Sequence, residues 1–320
     1  MRAPITLDLH LANFNFPGVG PEQEFEKLVE IATTAERSGF SSISVMDHLH
    51  QIAVHGPPEN WMFEGNTMLA ALAARTEKVT LGLLVGGVTY RNPAQHAKIV
   101  TTLDIISRGR AWFGIGAAWF EAEHLAYGYD FPPLGHRFEL LEDTLRIARA
   151  MFTQERATVH GAHLHVEDAL NNPKPLRGDI PIVIGGSGER KTLRMVAQYA
   201  DGCNVFGDPA RARHLLDVLE RHCEDAGRDP AEITKTRAGT VIIAPTHEAA
   251  LAKVEALRRA GMPEDRLETS MVGDPDSVAE QATAFRDIGI EGLTFTLPDS
   301  YDLETVELAG KTVGPIFSRP

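Results

Sequence analysis

The chain has 320 residues, 43% hydrophobic and 23% charged, a balance that describes a soluble globular protein able to bury a large core. Its 44 acidic side chains outnumber 31 basic ones for a net charge of −13, which argues against nucleic acid and anionic membrane as partners. Cys203 and Cys223 are the only cysteines and lack a CxxC spacing, so reduced thiols are expected instead of a disulfide framework or a thiolate zinc site.

No apolar run reaches the length of a membrane span, and the opening MRAPITLDLH enters a strand instead of a signal-peptide pattern, so a cytoplasmic location is expected. Ile5 to Leu9 reads as that strand. A helix follows from about Glu22 to Ser38, with Phe25, Leu28, Ile31 and Ala35 on one face and Gly39 as its stop. Ser41 to Met46 is a second strand that runs directly into Asp47-His48, and a polar pair at the carboxyl end of a parallel strand is a first site candidate. An imidazole side chain can exchange a proton in the physiological range and a carboxylate stands beside it in the sequence, which suits an acid/base or ligand-orienting role; a generic polar strand end is the alternative. Residues near 49–62 hold Pro57 and Pro58 without any period and are expected to be an insertion loop, before a helix over Thr67 to Thr76.

Val79 to Trp119 reads as one β-α-β unit. Val79 to Val85 and Ala111 to Ile115 are apolar runs without polar alternation, the pattern of parallel strands covered by helices on both faces. Between them Pro93 opens a helix whose Ala97, Val100, Leu103 and Ile106 share a face before Gly109. Gly86 and Gly87 after the first run, and Gly114 and Gly116 in the second, permit close approach at the strand ends, where parallel sheets and barrels bind ligands. Gly114-Ile115-Gly116 also begins like a dinucleotide fingerprint but lacks the third glycine, so packing is an equal explanation.

The stretch near 117–135 is aromatic and Pro/Gly-punctuated, a second expected insertion loop, and a long helix follows from about Phe138 to Phe152. A hairpin is expected near 157–167; its His160, His163 and His165 are better read as solvated than as metal ligands, since only His163 and His165 share a strand face. Pro181 to Ile184 is a fifth barrel strand ending in Gly185-Gly186-Ser187-Gly188, with a helix expected from Glu189 to Tyr199. Glycines between strand and helix expose N–H groups at a positive helix end, and Ser187, Arg190 and Lys191 add donors and charge, so phosphate is the natural ligand. Strands near 202–206, 236–244 and 292–297, with helices over 209–226, 246–260 and 274–288, bring the count to eight strands in series. That count predicts one (β/α)8 TIM barrel with insertions over residues 1–320.

The stretches VMDHL at 45–49, LAARTEKVTLGLLVGGVTYRNPA at 72–94, LDIISRGRAWFGIGAAWFEAEHLAYG at 103–128, NPKP at 172–175, IVIGGSGERKTLRMVAQYADG at 182–202 and GDPDSVAEQ at 273–281 resemble the bacterial luciferase-like oxidoreductase superfamily, above all its deazaflavin branch. The resemblance implies a barrel, commonly a homodimer, that binds coenzyme F420, or alternatively FMN, at the strand ends. Carried over by position, Asp47 and His48 lie beside the reactive ring. A non-prolyl cis peptide is implied near Leu84, Val85 and Gly86. Gly116, Ala117 and Ala118 border the cofactor, and Gly185, Gly186, Ser187, Gly188 and Arg190 hold its phosphate. The implied activity is hydride transfer between F420 and a small organic substrate; an FMN-dependent monooxygenase and a non-catalytic flavin-binding barrel are the alternatives. The sugar-phosphate dehydrogenases of this superfamily carry a glutamate where this chain has Trp119 and a tryptophan where it has Ile52. Proton transfer is therefore expected at His48, or else at Glu121, Glu123 or His124 in the following insertion.

Overall fold

A computed structural model describes residues 2–318. In chain order β1 (Leu7–Leu11), α1 (Pro21–Ser38), β2 (Ser42–Val45), α2 (Gly65–Ala73), β3 (Thr80–Leu83), β4 (Gly86–Gly87), α3 (Pro93–Ile106) and β5 (Phe113–Gly116) form the first half. Next come α4 (Glu121–Tyr127), α5 (Leu134–Thr153), the hairpin strands β6 (Arg156–His160) and β7 (His165–Leu170), β8 (Ile182–Gly185), α6 (Thr192–Tyr199), β9 (Gly202–Val205) and α7 (Pro209–Ala226). The chain finishes with β10 (Thr234–Ile243), α8 (His247–Arg259), α9 (Glu264–Glu268), β11 (Met271–Gly273), α10 (Pro275–Asp287), β12 (Gly292–Thr296) and α11 (Leu303–Phe317).

The main sheet runs β3-β2-β1-β12-β10-β9-β8-β5-β4, and every pairing along it is parallel. Its first and last members are halves of one chain segment, divided at Leu84-Val85, whose peptide bond is cis. A parallel bridge between Leu81 and Ala111 joins the two ends, with Leu81 N–H donating to Arg110 O at 2.9 Å and Trp112 N–H to Leu81 O at 3.0 Å. The result is a closed α/β barrel of the TIM type, in which strands buried on both faces need no polar alternation.

Local chemistry explains the boundaries. Pro93 fixes the first turn of α3, and Asn92 Oδ1 accepts from the N–H groups of Ala94 at 3.0 Å and Gln95 at 3.2 Å. Ala97, Val100 and Leu103 are buried as the spacing predicts, whereas Ile106 in the last turn is 41% exposed. Gly39 ends α1 at φ 107°, its N–H donating to Ala35 O.

The structure differs from the sequence reading in several places, among them α11, for which the sequence reading has no helix. The region near 117–135 contains α4, whose Glu123 and His124 point inward, so no apolar period marks it. The long helix begins at Leu134, four residues early, directly after Pro133. The helix expected from Glu189 begins at Thr192, because Glu189 is drawn toward α7: its side chain pairs with Arg211 at 2.8 Å and His214 at 3.2 Å, and its carbonyl accepts from His222 at 2.8 Å. Finally α9 and the three-residue β11, which pairs with β10, occupy a stretch too short to announce a strand.

The interior of the barrel is closed at its amino end by Trp112, 1% exposed, packed with Ala3, Ile5 and Val183, its indole N–H donating to Ser42 Oγ at 3.2 Å. Gly82 and Gly114 make room for it: a Cβ at Gly82 would lie 2.3 Å from the indole, and one at Gly114 would lie 1.9 Å from Leu83 O and 2.6 Å from the indole. No described helix is long and apolar enough to cross a membrane.

Candidate active site

The carboxyl ends of the strands open into a cavity of about 930 Å³. It is lined from β1 by His10, after β2 by Met46, Asp47 and His48, after β3 by Leu84, Val85 and Gly86, and at the ends of β5 and β8 by Gly116 and Gly185. Asn204, Arg237, Thr240, Arg266 and Thr296 complete the opposite side. A second, more open depression of about 700 Å³ lies beside α5, α6 and the hairpin; two of its three arginines are engaged, Arg149 by Asp179 and Asp201 and Arg228 by Glu232.

Val85 forms part of the floor. A Cβ on Gly185 would lie 2.9 Å from a Val85 methyl and one on Gly116 3.0 Å, so both glycines are small because Val85 fills the space between them. Glycine at 116 thus has a packing reason and a cavity-lining position at once. Ala117 and Ala118 also line the cavity, Ala118 at φ 59°. Of the glycine turn, Gly185 and Gly186 reach the cavity; Ser187, Gly188 and Arg190 are outside its lining. Ser187 Oγ accepts from Phe206 N–H at 3.0 Å, and Arg190 is exposed.

Asp47 is buried and bidentate to Arg91, with both contacts at 2.7 Å, and it also accepts from Gly87 N–H at 2.9 Å. Arg91 reaches on to Glu64 at 2.8 Å. Burial disfavours the Asp47 charge and lifts its pKa above the usual carboxylate value, while the two acids hold Arg91 above the usual arginine value despite its own burial. With a two-pronged contact at these distances the ionised pair is the state present.

His48 is held by a residue 75 positions away: its Nδ1 lies 3.1 Å from Glu123 Oε2. Glu123 is 0% exposed and accepts also from Tyr90 OH, Leu49 N–H and, at 3.1 Å, His50 N–H. Burial alone would raise its pKa, but these donors outweigh burial and hold it at about 2. The Tyr90 hydroxyl is driven up by burial and by the Glu123 charge, so it stays a donor. Trp119 and Phe120 meet the His48 ring edge-on at 5.5 and 5.6 Å.

The insertion's other polar groups are placed differently. His124 is buried with both nitrogens engaged, Nδ1 on Phe120 O at 2.8 Å and Nε2 on Thr89 Oγ1. Glu121 is exposed and outside the cavity lining. Trp119, 63% exposed, and Ile52, buried, both line the cavity. The sequence reading did not pair Glu123 with His48, and it passed over Tyr90, Arg237 and Arg266. In the hairpin, His163 lies against His136 and Glu139 of α5, with Nε2 2.8 Å from Glu139 Oε2 at the surface.

The sequence profile described as luciferase-like monooxygenase matches residues 6–292. An F420-dependent glucose-6-phosphate dehydrogenase of Microbacterium testaceum is 27% identical, over 90% of this chain and 92% of that protein. Among solved structures, the coenzyme F420 dependent tetrahydromethanopterin reductase from Methanopyrus kandleri superposes with a TM-score of 0.79 at 19% identity, covering 99% of this chain and 100% of that one. The oxygenating constituent of 3,6-diketocamphane monooxygenase of Pseudomonas putida, in complex with FMN, gives 0.75 at 19% identity, over 99% and 100%.

Proposed function

The chain belongs to the luciferase-like monooxygenase family, and on that premise we propose that it is an F420-dependent oxidoreductase that moves a hydride between the deazaflavin and a small organic substrate. We place it in the cytoplasm as a homodimer. The F420-dependent relative supports the cofactor, and the observation that carries the reading is His48, fixed by Glu123, at the wall of a glycine-floored cavity at the strand ends.

The residues present fit a flat, phosphate-bearing cofactor. A side chain at Gly185 would meet Val85 at 2.9 Å and one at Gly116 would press on it at 3.0 Å, so the floor between them stays low. Leu84, Val85 and Gly86 would lie against the ring, Gly116, Ala117 and Ala118 along its side chain, and the turn of Gly185, Gly186, Ser187, Gly188 and Arg190 would take the phosphate. When bound, F420 supplies a two-electron hydride donor or acceptor.

The protein's own share is proton handling and placement. Glu123 Oε2 accepts the Nδ1 hydrogen of His48, which fixes the tautomer and leaves Nε2 as the atom that takes or gives the proton. His124 has no free nitrogen and Glu123 is saturated, so the adjoining insertion offers no equal candidate. Asp47 acts indirectly, since it spends both oxygens on Arg91 and Gly87 and so braces the loop that follows β3. Trp119 and Ile52 make the reacting end apolar.

Titrating the purified apoprotein with F420 and FMN in parallel tests the assignment. F420 is expected to bind the tighter and, once reduced, to leave oxygen unconsumed; tighter FMN binding with oxygen incorporation overturns it in favour of a monooxygenase. Light scattering on the same sample is expected to give twice the chain mass, and a monomer mass defeats the dimer.

A further inference from the structure

Arg237 lies in the middle of β10, 4% exposed, on the cavity wall opposite His48 in the chain's order of strands. Its Nε–H donates to Gly207 O at 3.0 Å, its Nη2 reaches Thr269 O at 3.5 Å, and the guanidinium covers the Phe285 ring at 4.6 Å. Nη1 has no hydrogen-bond partner, and among the described residues no carboxylate forms an ion pair with Arg237. A Cβ on Gly239 would fall 1.9 Å from Nη1, so this nitrogen occupies the space above a glycine that itself lines the cavity. Burial pulls the guanidinium down to about 10 although the charge of Asp208, exposed and not in ion-pair contact with it, opposes this.

Arg266, on the same wall, has only neutral acceptors: Thr240 Oγ1 at 2.9 Å, Val54 O, and His55 Nδ1 at 3.1 Å. The acids at the cavity do not answer these charges. Asp47 is saturated by Arg91, and Asp265 is exposed, its Oδ1 taking the Arg266 backbone N–H at 2.9 Å. Nor do the histidines add to them: burial and the Arg266 charge lower His10 to about 4 and His55 to about 2, and both are neutral at pH 7. An acidic protein therefore places in one cavity wall two guanidinium groups that, among the described residues, no carboxylate contacts, Asp208 acting on Arg237 only from a distance. A buried charge left unpaired is costly and a buried donor left unmade more so, which makes such a group a mark of a missing ligand.

We propose that Arg237, with Arg266 beside it, receives an anionic oxygen group, a carboxylate or phosphate, carried by the substrate. The fork of Nη1 and Nη2 matches such a group in two parallel hydrogen bonds. Arg266 and His48 each lie close enough to act electrostatically on both His10 and His55, so these two histidines stand between the anion site and the proton-handling wall facing it. The placement on the substrate rests on the proposed F420 reading; the anion site itself does not.

The test is calorimetry on the whole protein, with and without saturating F420, using hexanoate and phenylacetate against their amides, hexanamide and phenylacetamide. The carboxylates are expected to bind at least roughly tenfold more tightly than the amides, the size of a charge-assisted hydrogen bond. Arg237→Met is expected to erase the difference, Arg237→Lys to keep part of it, and Gly239→Ala to erase it by displacing Nη1 while keeping the charge. Thermal unfolding separates ligand from scaffold: Arg237→Met should melt no lower than the parent in plain buffer, yet lose the upward shift given by phenylacetate. A parent that binds amide as tightly as carboxylate in both states overturns the site. If F420 alone displaces the carboxylates and Arg237→Met weakens F420 by roughly tenfold, the anion belongs to the cofactor and the substrate placement falls. Carboxylate discrimination in a protein that does not bind F420 would leave the site standing and remove the F420 reading instead.

Discussion

On one side of the cavity Glu123 accepts from His48, Tyr90, Leu49 and His50, and Asp47 from Arg91 and Gly87; on the other, Arg237 Nη1 and Asn204 Oδ1 face the same space without partners. The first wall has its geometry complete before any ligand arrives, because each acid is held by several donors. The second holds unmet hydrogen-bonding capacity that only an incoming molecule satisfies. Preorganised groups suit chemistry, where a displaced donor costs rate, and unsatisfied groups suit recognition, where the gain is realised on binding.

The difference is broken most severely at His48. His48→Ala is expected to slow turnover by about 10² to 10⁴ once a substrate is in hand, the usual contribution of a general acid or base, with F420 affinity nearly unchanged. Full turnover in that variant would move the proton elsewhere.

Glu123→Gln tests whether the completed wall also stabilises the fold. Losing the charge behind four donors should destabilise the protein by about 1.5 to 3 kcal/mol in urea unfolding at pH 7. The sign with pH follows from a carboxyl depressed from 4.5 to about 2: its stabilisation is present above pH 4.5 and lost as the pH falls toward 2. The parent and the glutamine variant should therefore converge in acid, and a constant gap would show that the charge is not the cause.

Asp8, below His10 on β1, gives the smallest effect and the opposite sign. Its Oδ2 accepts from Ser44 Oγ at 2.6 Å, its Oδ1 has no partner, and burial pushes its pKa up to about 6 although its hydroxyl neighbours oppose this. A raised carboxyl costs stability as the pH rises from about 4 to about 6. Asp8→Asn should accordingly be more stable than the parent at pH 8, by about 1 to 2 kcal/mol, and equal to it near pH 4. A less stable variant at pH 8 would mean that the carboxylate is satisfied after all.

What the sequence disclosed follows the same physical division. Barrel strands are apolar on both faces, so runs such as Val79 to Val85 and Pro181 to Ile184 stand out, and Asp47-His48 is legible as the polar end of one of them. Glu123 was visible only as one of three alternatives, because α4 turns Glu123 and His124 inward and its remaining residues follow no apolar stripe. The partnership with His48 spans 75 positions and leaves no local trace. Arg237 was passed over as an ordinary strand residue. Its signal was present nonetheless: an arginine between Thr236 and Ala238 inside a covered strand must be either paired or waiting for a ligand.

Trp112 with Gly82 and Gly114 carries a different kind of consequence, one of history. No Cβ fits at Gly82 while the indole is in place, whereas Gly114 is held to glycine by the Leu83 carbonyl whatever stands at 112, so positions 82 and 112 are effectively inherited as one character. Removing the tryptophan alone would open a hole costing about 3 to 5 kcal/mol, and enlarging a glycine alone would force the strands apart. A lineage could exchange this plug only by changing 82 and 112 together. Among descendants of a common ancestor, bulk at 112 should therefore trade against bulk at 82 while 114 stays glycine, even where every residue at the rim of the cavity has drifted.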